Sequence, residues 1–311
     1  MTFAEGPLVL LALALGLLFG GLIPVQTSIN SRLAGRLGAI LPASLVSFAV
    51  GSAGLGLAAL LTRTNVPWVE TATTQPWWIW LGGACGLVFL TMNIVLLPRI
   101  GASATVVLPL VGQVLGGLVI DMTGAFGMTI RPLTPVRGLG AVLVVVGAAL
   151  VNLVGRVGAT KAANRSRAAA LLWVVAVLVG TLGAVQTAVN GRLGQVMNSA
   201  LAAALVSFLV GAVGLLLVNL ATRQRVRRPG RMPAWMLTGG LLGAAFVLAN
   251  AFNAPILGTS LAVSVTLLGQ VITGLVLDHG GYLGIARRRA SPLRLLGAAL
   301  AVVGVALVRF G

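Results

Sequence analysis

Asparagine and glutamine residues interrupt the long apolar runs of this sequence. Their amide side chains and their spacing make them candidates for hydrogen bonding to a polar solute. Gln26 and Asn30 are four positions apart, which places them on one helical face about one turn from each other. The same pair recurs 160 positions later as Gln186 and Asn190. Polar side chains within a membrane usually face the bundle interior, so we predict that these four amides line a cavity and hydrogen-bond a polar solute. In the alternative interpretation they tie helices together, although interhelical hydrogen bonds are worth only about 0.6 kcal/mol on average.

Two further pairs of amides lie deeper in apolar runs: Asn93 with Asn250, and Gln113 with Gln270. A buried amide without a partner is costly in hydrocarbon, which favours solute contact as the role of these side chains. The alternative for the glutamines is helix packing, since each follows a glycine that permits close approach of a neighbouring helix. The predicted substrate-binding residues are Gln26, Asn30, Asn93, Gln113, Gln186, Asn190, Asn250 and Gln270.

Acidic residues are scarce, with four in the whole chain. Asp121 and Asp278 are 157 positions apart and each closes an apolar run. Proton coupling usually needs a titratable group, which makes this pair the predicted coupling residues. An ionised Asp near the end of a membrane helix costs little, however, so a structural contact with Arg131 or Arg288 is the alternative.

The remaining reactive side chains exclude several classes of function. One histidine and one cysteine, Cys85, provide neither a cluster of ligands at metal spacing nor a nucleophilic triad. We therefore predict no metal site, no cofactor and no enzymatic activity. The net charge of +17 could indicate nucleic-acid binding, but the sequence has no basic face with interleaved aromatic residues. A nucleic-acid partner is therefore not expected.

The elements that must position these side chains are membrane helices. Of the 311 residues, 58% are hydrophobic and 8% are charged, and the apolar residues form continuous runs. A hydrocarbon core about 30 Å thick needs roughly 20 apolar residues per helix. Ten runs of this kind predict an all-α membrane protein, with spans at 7–30, 40–62, 77–97, 102–121, 138–155, 170–190, 199–221, 235–256, 260–278 and 293–310.

The chain is an internal duplication. The heptapeptides Leu45–Gly51 and Leu205–Gly211 match at six of seven positions, and Gly82-Gly83 matches Gly239-Gly240 further on. The duplication predicts a first five-helix repeat at 1–156, a basic cytoplasmic linker at 157–169, and a second repeat at 170–311. Because five is odd, the second repeat must enter the membrane from the opposite side. Inverted repeats of this kind recur in secondary transporters that expose one site alternately to each side.

The distribution of basic residues predicts the orientation. Cytoplasmic loops are enriched in Lys and Arg, and 16 of the 21 basic residues fall on the inner side when the N-terminus is outside. Both termini are therefore predicted outside. Most of this bias comes from the linker and the second repeat, because the first repeat alone is balanced at three against three.

The order of short motifs resembles a known family. Each repeat contains, in whole or in part, P-x-Q-x-x-x-N-x-x-L, S-F-x-x-G, G-G-x-x-G, N-x-x-x-x-P-x-x-G, G-Q and a closing Asp. This order is similar to that of the YdcZ-type inner-membrane family, a branch of the drug/metabolite transporter superfamily. The resemblance implies a bacterial inner-membrane transporter in a fused antiparallel form. The small multidrug exporters of the superfamily use a glutamate in their first span, which this sequence lacks, so their coupling mechanism does not transfer.

Together these features predict a secondary transporter of the bacterial cytoplasmic membrane that works by alternating access. We expect it to export a small organic metabolite or drug-like solute, with proton coupling left open. The main alternative is a passive facilitator or channel for a small neutral solute, and a non-transporting membrane scaffold is a second. The expected partners are the small-molecule substrate and the lipid bilayer, and the expected state is a monomer or homodimer.

Overall fold

The structure, a computed structural model, describes residues 5–153, 167–224, 233–282 and 291–311. The predicted linker at 157–169 lies almost wholly outside these ranges, and so does Arg288. Every regular element within them is a helix: α1 (Glu5–Leu37), α2 (Ile40–Leu61), the short α3 (Trp68–Thr74), α4 (Leu81–Thr123), α5 (Pro135–Leu153), α6 (Arg167–Val196), α7 (Ala200–Thr222), α8 (Thr238–Leu257), α9 (Thr259–Gly280) and α10 (Pro292–Phe310).

The helices have the length and composition of membrane spans. Among the described residues, seven helices are long and apolar enough to cross a bilayer, and three shorter apolar helices cover Trp77–Phe89, Leu108–Thr123 and Pro135–Val151. Large apolar side chains such as Leu60 and Leu217 are exposed on the outside of the bundle, where lipid would cover them. The all-helical membrane class predicted from the sequence is confirmed.

Helix α4 folds back on itself although its backbone is helical from Leu81 to Thr123. A Cβ atom placed on Gly82 would overlap the Asn190 amide, and one placed on Gly116 would lie 3.2 Å from Cβ of Ala184. Along a straight α-helix Gly82 and Gly116 would be about 51 Å apart, whereas Ala184 and Asn190 are separated by only about 9 Å. The chain direction must therefore reverse between these contacts, in the region where the sequence predicts the end of one span and the start of the next.

The corresponding reversal in the second half is an open break between α8 and α9. Gly258 separates the two helices with φ of +82°, a conformation that glycine adopts without the steric cost of a side chain. Gly239, near the start of α8, contacts Asn30 of α1, whereas Gly269 of α9 contacts Leu17 of the same helix. The pair α8–α9 thus runs up and down α1, as the two arms of α4 do along α6.

The two halves meet through reciprocal contacts. The rings of Phe48 and Phe208 stack with their centroids 4.9 Å apart, and these residues occupy the same position in the repeated S-F-x-x-G motif. The glycine of each motif lies under the ring of the other: Gly51 against Phe208, and Gly211 against Phe48. Each copy of the motif therefore makes the same contact with the other copy. Reciprocal contacts of this kind are expected when two units are related by a two-fold axis.

Helices α5 and α10 repeat this pattern at the other side of the bundle. Gly140 packs on the backbone of Gly304, and Gly147 packs on the backbone of Gly297. Since Gly140 corresponds to Gly297 and Gly147 to Gly304 in the duplication, this is one contact made twice. The helices cross in antiparallel directions, and the absence of side chains at the crossing allows their backbones to approach closely.

The ring-on-glycine contact predicts a position-specific effect on stability. Gly51→Ala is expected to destabilise the folded protein by about 1–3 kcal/mol, the usual cost of overpacking, because the new methyl group would overlap the Phe208 ring. Gly56 lies on the same helix with open space around it, so Gly56→Ala is the matched control and is expected to be neutral or stabilising. Thermal unfolding of both variants in detergent measures the difference; equal midpoints would contradict the contact.

Candidate functional site

The amides of α1 lie against glycines of the opposite half. Cβ atoms placed on Gly243 and Gly239 of α8 would overlap the side chains of Gln26 and Asn30 respectively. The two amides and the two glycines share a spacing of four residues, so one face of α1 fits one face of α8 over successive turns. The glycines of the G-x-x-x-G spacing therefore leave room for polar side chains of the neighbouring helix.

The corresponding amides of α6 make the same contact with α4. Gln186 lies against Gly86, with its Nε2 2.8 Å from a Cβ placed there, and Asn190 lies against Gly82. The amides thus form two pairs at equivalent places, each held between helices of opposite halves. They face the bundle and not its lipid-exposed surface, as the sequence predicts for residues that contact a solute.

The second glycine of each Gly-Gly pair contacts another helix of the opposite half. Gly83, next to Gly82, lies against the carbonyl oxygen of Ser207 on α7, and Gly240 lies against that of Ser47 on α2. Each Gly-Gly pair is therefore wedged between the first and second helices of the other half. This arrangement brings the amides of one half and the backbone of the other into a common interface.

Two of these amides have hydrogen-bonding capacity that the protein does not use. Asn190 is 1% exposed, and its Nδ2 donates to Ser207 Oγ at 3.2 Å. Its Oδ1 has no partner among the described residues, and neither has the buried Oδ1 of Asn30. A buried acceptor left unpaired costs the full desolvation of that group, so a water molecule or a solute donor is expected at both places.

The other predicted amides are distributed differently. Asn250 is buried and satisfied within its own half, because its Nδ2 donates to Phe246 O at 2.9 Å and its Oδ1 accepts from Thr266 Oγ1 at 3.4 Å. Gln113 packs its side chain against Gly183 of α6. Gln270 is partly buried. Asn93 lies outside the residues whose side chains the structure describes.

Asp121 is a fully engaged carboxylate at the break between α8 and α9. It is 1% exposed. Its Oδ1 accepts from the Thr259 backbone N–H at 2.7 Å, and its Oδ2 accepts from the backbone N–H and the hydroxyl of Ser260. Arg137 completes the set, with Nη2 3.1 Å from Oδ2. The first N–H groups of a helix have no intrahelical partners and carry a partial positive charge, which explains why a carboxylate from the other half is stable there.

Arg131 holds the other side of the same break. Its Nη2 donates to the carbonyl oxygen of Ile256, in the last turn of α8, at 3.1 Å. Burial lowers the pKa of the Arg131 guanidinium, while the nearby Asp121 raises it. The sequence suggests Arg131 as a partner for Asp121, and its backbone N–H does donate to the Asp121 carbonyl at 2.7 Å. The carboxylate itself, however, pairs with Arg137, which projects from the start of α5.

Asp278 forms the equivalent ion pair. Arg294 Nη2 lies 2.5 Å from Asp278 Oδ2, and the carboxylate is 15% exposed. Arg294 Nε also donates to the Val151 carbonyl of α5 at 3.0 Å. Sequence reasoning identified both aspartates but proposed Arg131 or Arg288 as their contacts and not these arginines. The signal was present, because Asp121 with Arg137 and Asp278 with Arg294 have the same 157-residue offset.

Comparison with known proteins identifies the family. The family model described as "Putative inner membrane exporter, YdcZ" matches residues 11–150 and again residues 171–307. The chain belongs to the YdcZ family. One match lies in each of the two halves that the internal duplication defines.

A curated YdcZ relative agrees with this assignment, and a solved structure shares the fold. The chain is 31% identical over 115 residues to the inner membrane protein YdcZ of Escherichia coli (strain K12), which is 37% of this chain and 67% of the relative. A crystal structure of a protein shares the fold with a TM-score of 0.68 over 96% of this chain and 95% of that chain, at 19% identity. The family and the apolar helices together indicate a multi-pass protein of the inner membrane.

Proposed function

We propose that this YdcZ-family chain is a secondary transporter built from ten spans in two inverted five-helix repeats. Among the described residues, the seven long apolar helices would supply seven crossings and the three shorter ones the remaining three. The reciprocal Phe48–Phe208 and α5–α10 contacts support a two-fold relation between the halves. Since these helix pairs are antiparallel, the axis of that relation would lie in the membrane plane, which is the arrangement used for alternating access.

The solute path in this proposal runs between the halves along the amide faces of α1 and α6. The observation that carries it is the pair of unpaired buried oxygens, Asn30 Oδ1 and Asn190 Oδ1. They lie at equivalent places, so one solute could meet the same chemistry from either side of the membrane. Gln26 and Gln186 extend each amide face by one turn.

A neutral or zwitterionic organic solute fits this path best. Asp121 and Asp278 are both paired with arginine side chains, so neither aspartate presents an uncompensated negative charge to a cation. Export is the direction that the family description favours. The basic loops favour both termini outside, which would put Asp121 at the outer face and Asp278 at the inner face.

Proton coupling would require that one of these aspartates release its arginine during the cycle. The alternative is that both ion pairs are structural and that the chain is a passive facilitator. The symmetric position of the two pairs at opposite faces is compatible with gates that open in turn. Accumulation of solute against a gradient decides between coupling and facilitation.

The experiment begins with a thermal-shift screen of the purified full chain against a library of metabolites and drugs, because a ligand of the folded state raises the unfolding temperature. Solutes that stabilise the protein are then tested for uptake into proteoliposomes with an imposed pH gradient. The proposal predicts accumulation that a proton uncoupler abolishes. Equilibration without accumulation would support the facilitator, and no movement of any stabilising solute would contradict transport.

A further inference from the structure

Asn253 is a buried amide that makes no hydrogen bond with any described residue. Its residue is 0% exposed, and both Nδ2 and Oδ1 lack a partner within the described ranges. Every other buried side chain in those ranges that has an unpaired polar atom has only one. Burying a polar group without a partner is unfavourable, so this amide weakens the conformation in which it is seen.

The amide lies at the seam between the halves. Asn253 belongs to α8, and a Cβ placed on Gly16 of α1 would lie 3.1 Å from its Nδ2 and 3.0 Å from Cγ1 of Val265 on α9. Only the missing side chain of Gly16 leaves room for the amide, so α1 covers it closely. Movement of α1 away from α8 and α9 would uncover Nδ2 of this amide.

The fold does not require an amide at this position. The counterpart of Asn253 in the duplication is Leu96, which is 1% exposed. Leucine has the same number of side-chain heavy atoms and the same branching as asparagine, although it is bulkier, and the first half buries it without any polar atom. One turn earlier, Asn250 and Thr266 satisfy each other across α8 and α9, which leaves Asn253 free to bind something else.

We infer that Asn253 is a substrate-binding amide of the second half and that it takes an uncharged group that presents a donor beside an acceptor, such as a primary carboxamide. A carboxamide can form two parallel hydrogen bonds with the Asn253 side chain, which has one acceptor and two donors. This inference rests on the proposed transport function. It adds a subsite that one half has and the other lacks, so the solute binds asymmetrically.

The subsite is occluded in this conformation, and it becomes accessible when α1 separates from α8 and α9. Because the unpaired amide destabilises the closed seam, replacing it with leucine removes the desolvation cost, and the buried Leu96 shows that the fold accepts leucine at the equivalent position. Stability and binding should therefore respond in opposite directions. A purely structural asparagine would lose both together.

The test uses the purified full chain in detergent, with acetamide as the probe and acetone as the control that can accept but not donate. Wild type is expected to be stabilised more by acetamide than by acetone. Asn253→Leu is expected to keep or raise the unfolding temperature without solute and to bind acetamide at least tenfold more weakly. Asn253→Ala serves as the second variant in case leucine collides with the backbone of Gly16.

Three results would overturn the inference: a lower unfolding temperature for both variants, equal stabilisation of wild type and variants by acetamide, or no preference for acetamide over acetone in wild type. Uptake by proteoliposomes separates this failure from that of the transport proposal. If Asn253→Leu transports the solutes found in the library screen as wild type does, only the subsite is wrong. If wild type transports none of them, the transport function is wrong whatever Asn253 binds.

Discussion

Replacing Asp121 with alanine is expected to lower the free energy of unfolding by about 3 to 5 kcal/mol, because it leaves the buried Arg137 without its carboxylate. The same change removes the acceptor for the Thr259 and Ser260 backbone N–H groups at the start of α9. Chemical or thermal unfolding of the detergent-purified variant measures the loss. This is the largest effect on stability that the structure predicts for a single substitution.

Two controls identify the cause of that loss. Arg137→Met in the Asp121→Ala background should recover part of the stability, since an unpaired buried charge is more costly than a neutral pair. Glu70→Ala, on the exposed face of α3, should change stability by no more than about 0.5 kcal/mol. An Asp121→Ala protein as stable as wild type would contradict the buried network.

The largest effect on function is expected when all four interface amides are replaced together. Each lost hydrogen bond to a solute is worth about 1 kcal/mol, so four losses give an upper value of about 4 kcal/mol, because amides one turn apart on the same solute are not independent. The variant Gln26→Met, Asn30→Leu, Gln186→Met, Asn190→Leu should therefore bind its solute more weakly by up to about a thousandfold. Uptake into proteoliposomes at a solute concentration near the wild-type half-saturation value measures this loss.

The replacements keep the length of each side chain so that the contacts with the glycines are disturbed as little as possible. Gln195→Met is the matched control, because Gln195 is an exposed glutamine at the end of α6, outside the interface, and it should transport as wild type does. Thermal unfolding verifies that the fourfold variant is folded. A folded variant with wild-type uptake would favour the scaffold interpretation over a solute path.

Hydropathy predicted the helices because the cost of unpaired backbone in lipid acts locally on each apolar run. It placed a span end and a span start around residues 97–102, where α4 must reverse, and around Gly258, where α8 gives way to α9. Hydropathy could not indicate which helices become neighbours. The contacts of Asn190 with Gly82 and of Asn30 with Gly239 join opposite halves, so they depend on how the two halves pack against each other.

The polar contacts were harder to predict for the same reason. The partner of Asp121 could not be chosen between nearby arginines from spacing alone, and its role in capping α9 crosses from one half to the other. Asn253 was visible in the sequence only as a neighbour of Asn250. Its significance depends on complete burial without a partner among the described residues, which no pattern of letters contains.

The central claim is that the two halves face opposite ways in the membrane and enclose the amide faces between them. Gly35 and Gln195 occupy corresponding positions in the duplication and are both exposed, and a Cβ on Gly35 has open space. Cells carrying Gly35→Cys or Gln195→Cys in a Cys85→Ala background would be labelled with a membrane-impermeant maleimide. We predict that Gln195→Cys reacts in intact cells and Gly35→Cys only after permeabilisation; reaction of both from the same side would contradict the account.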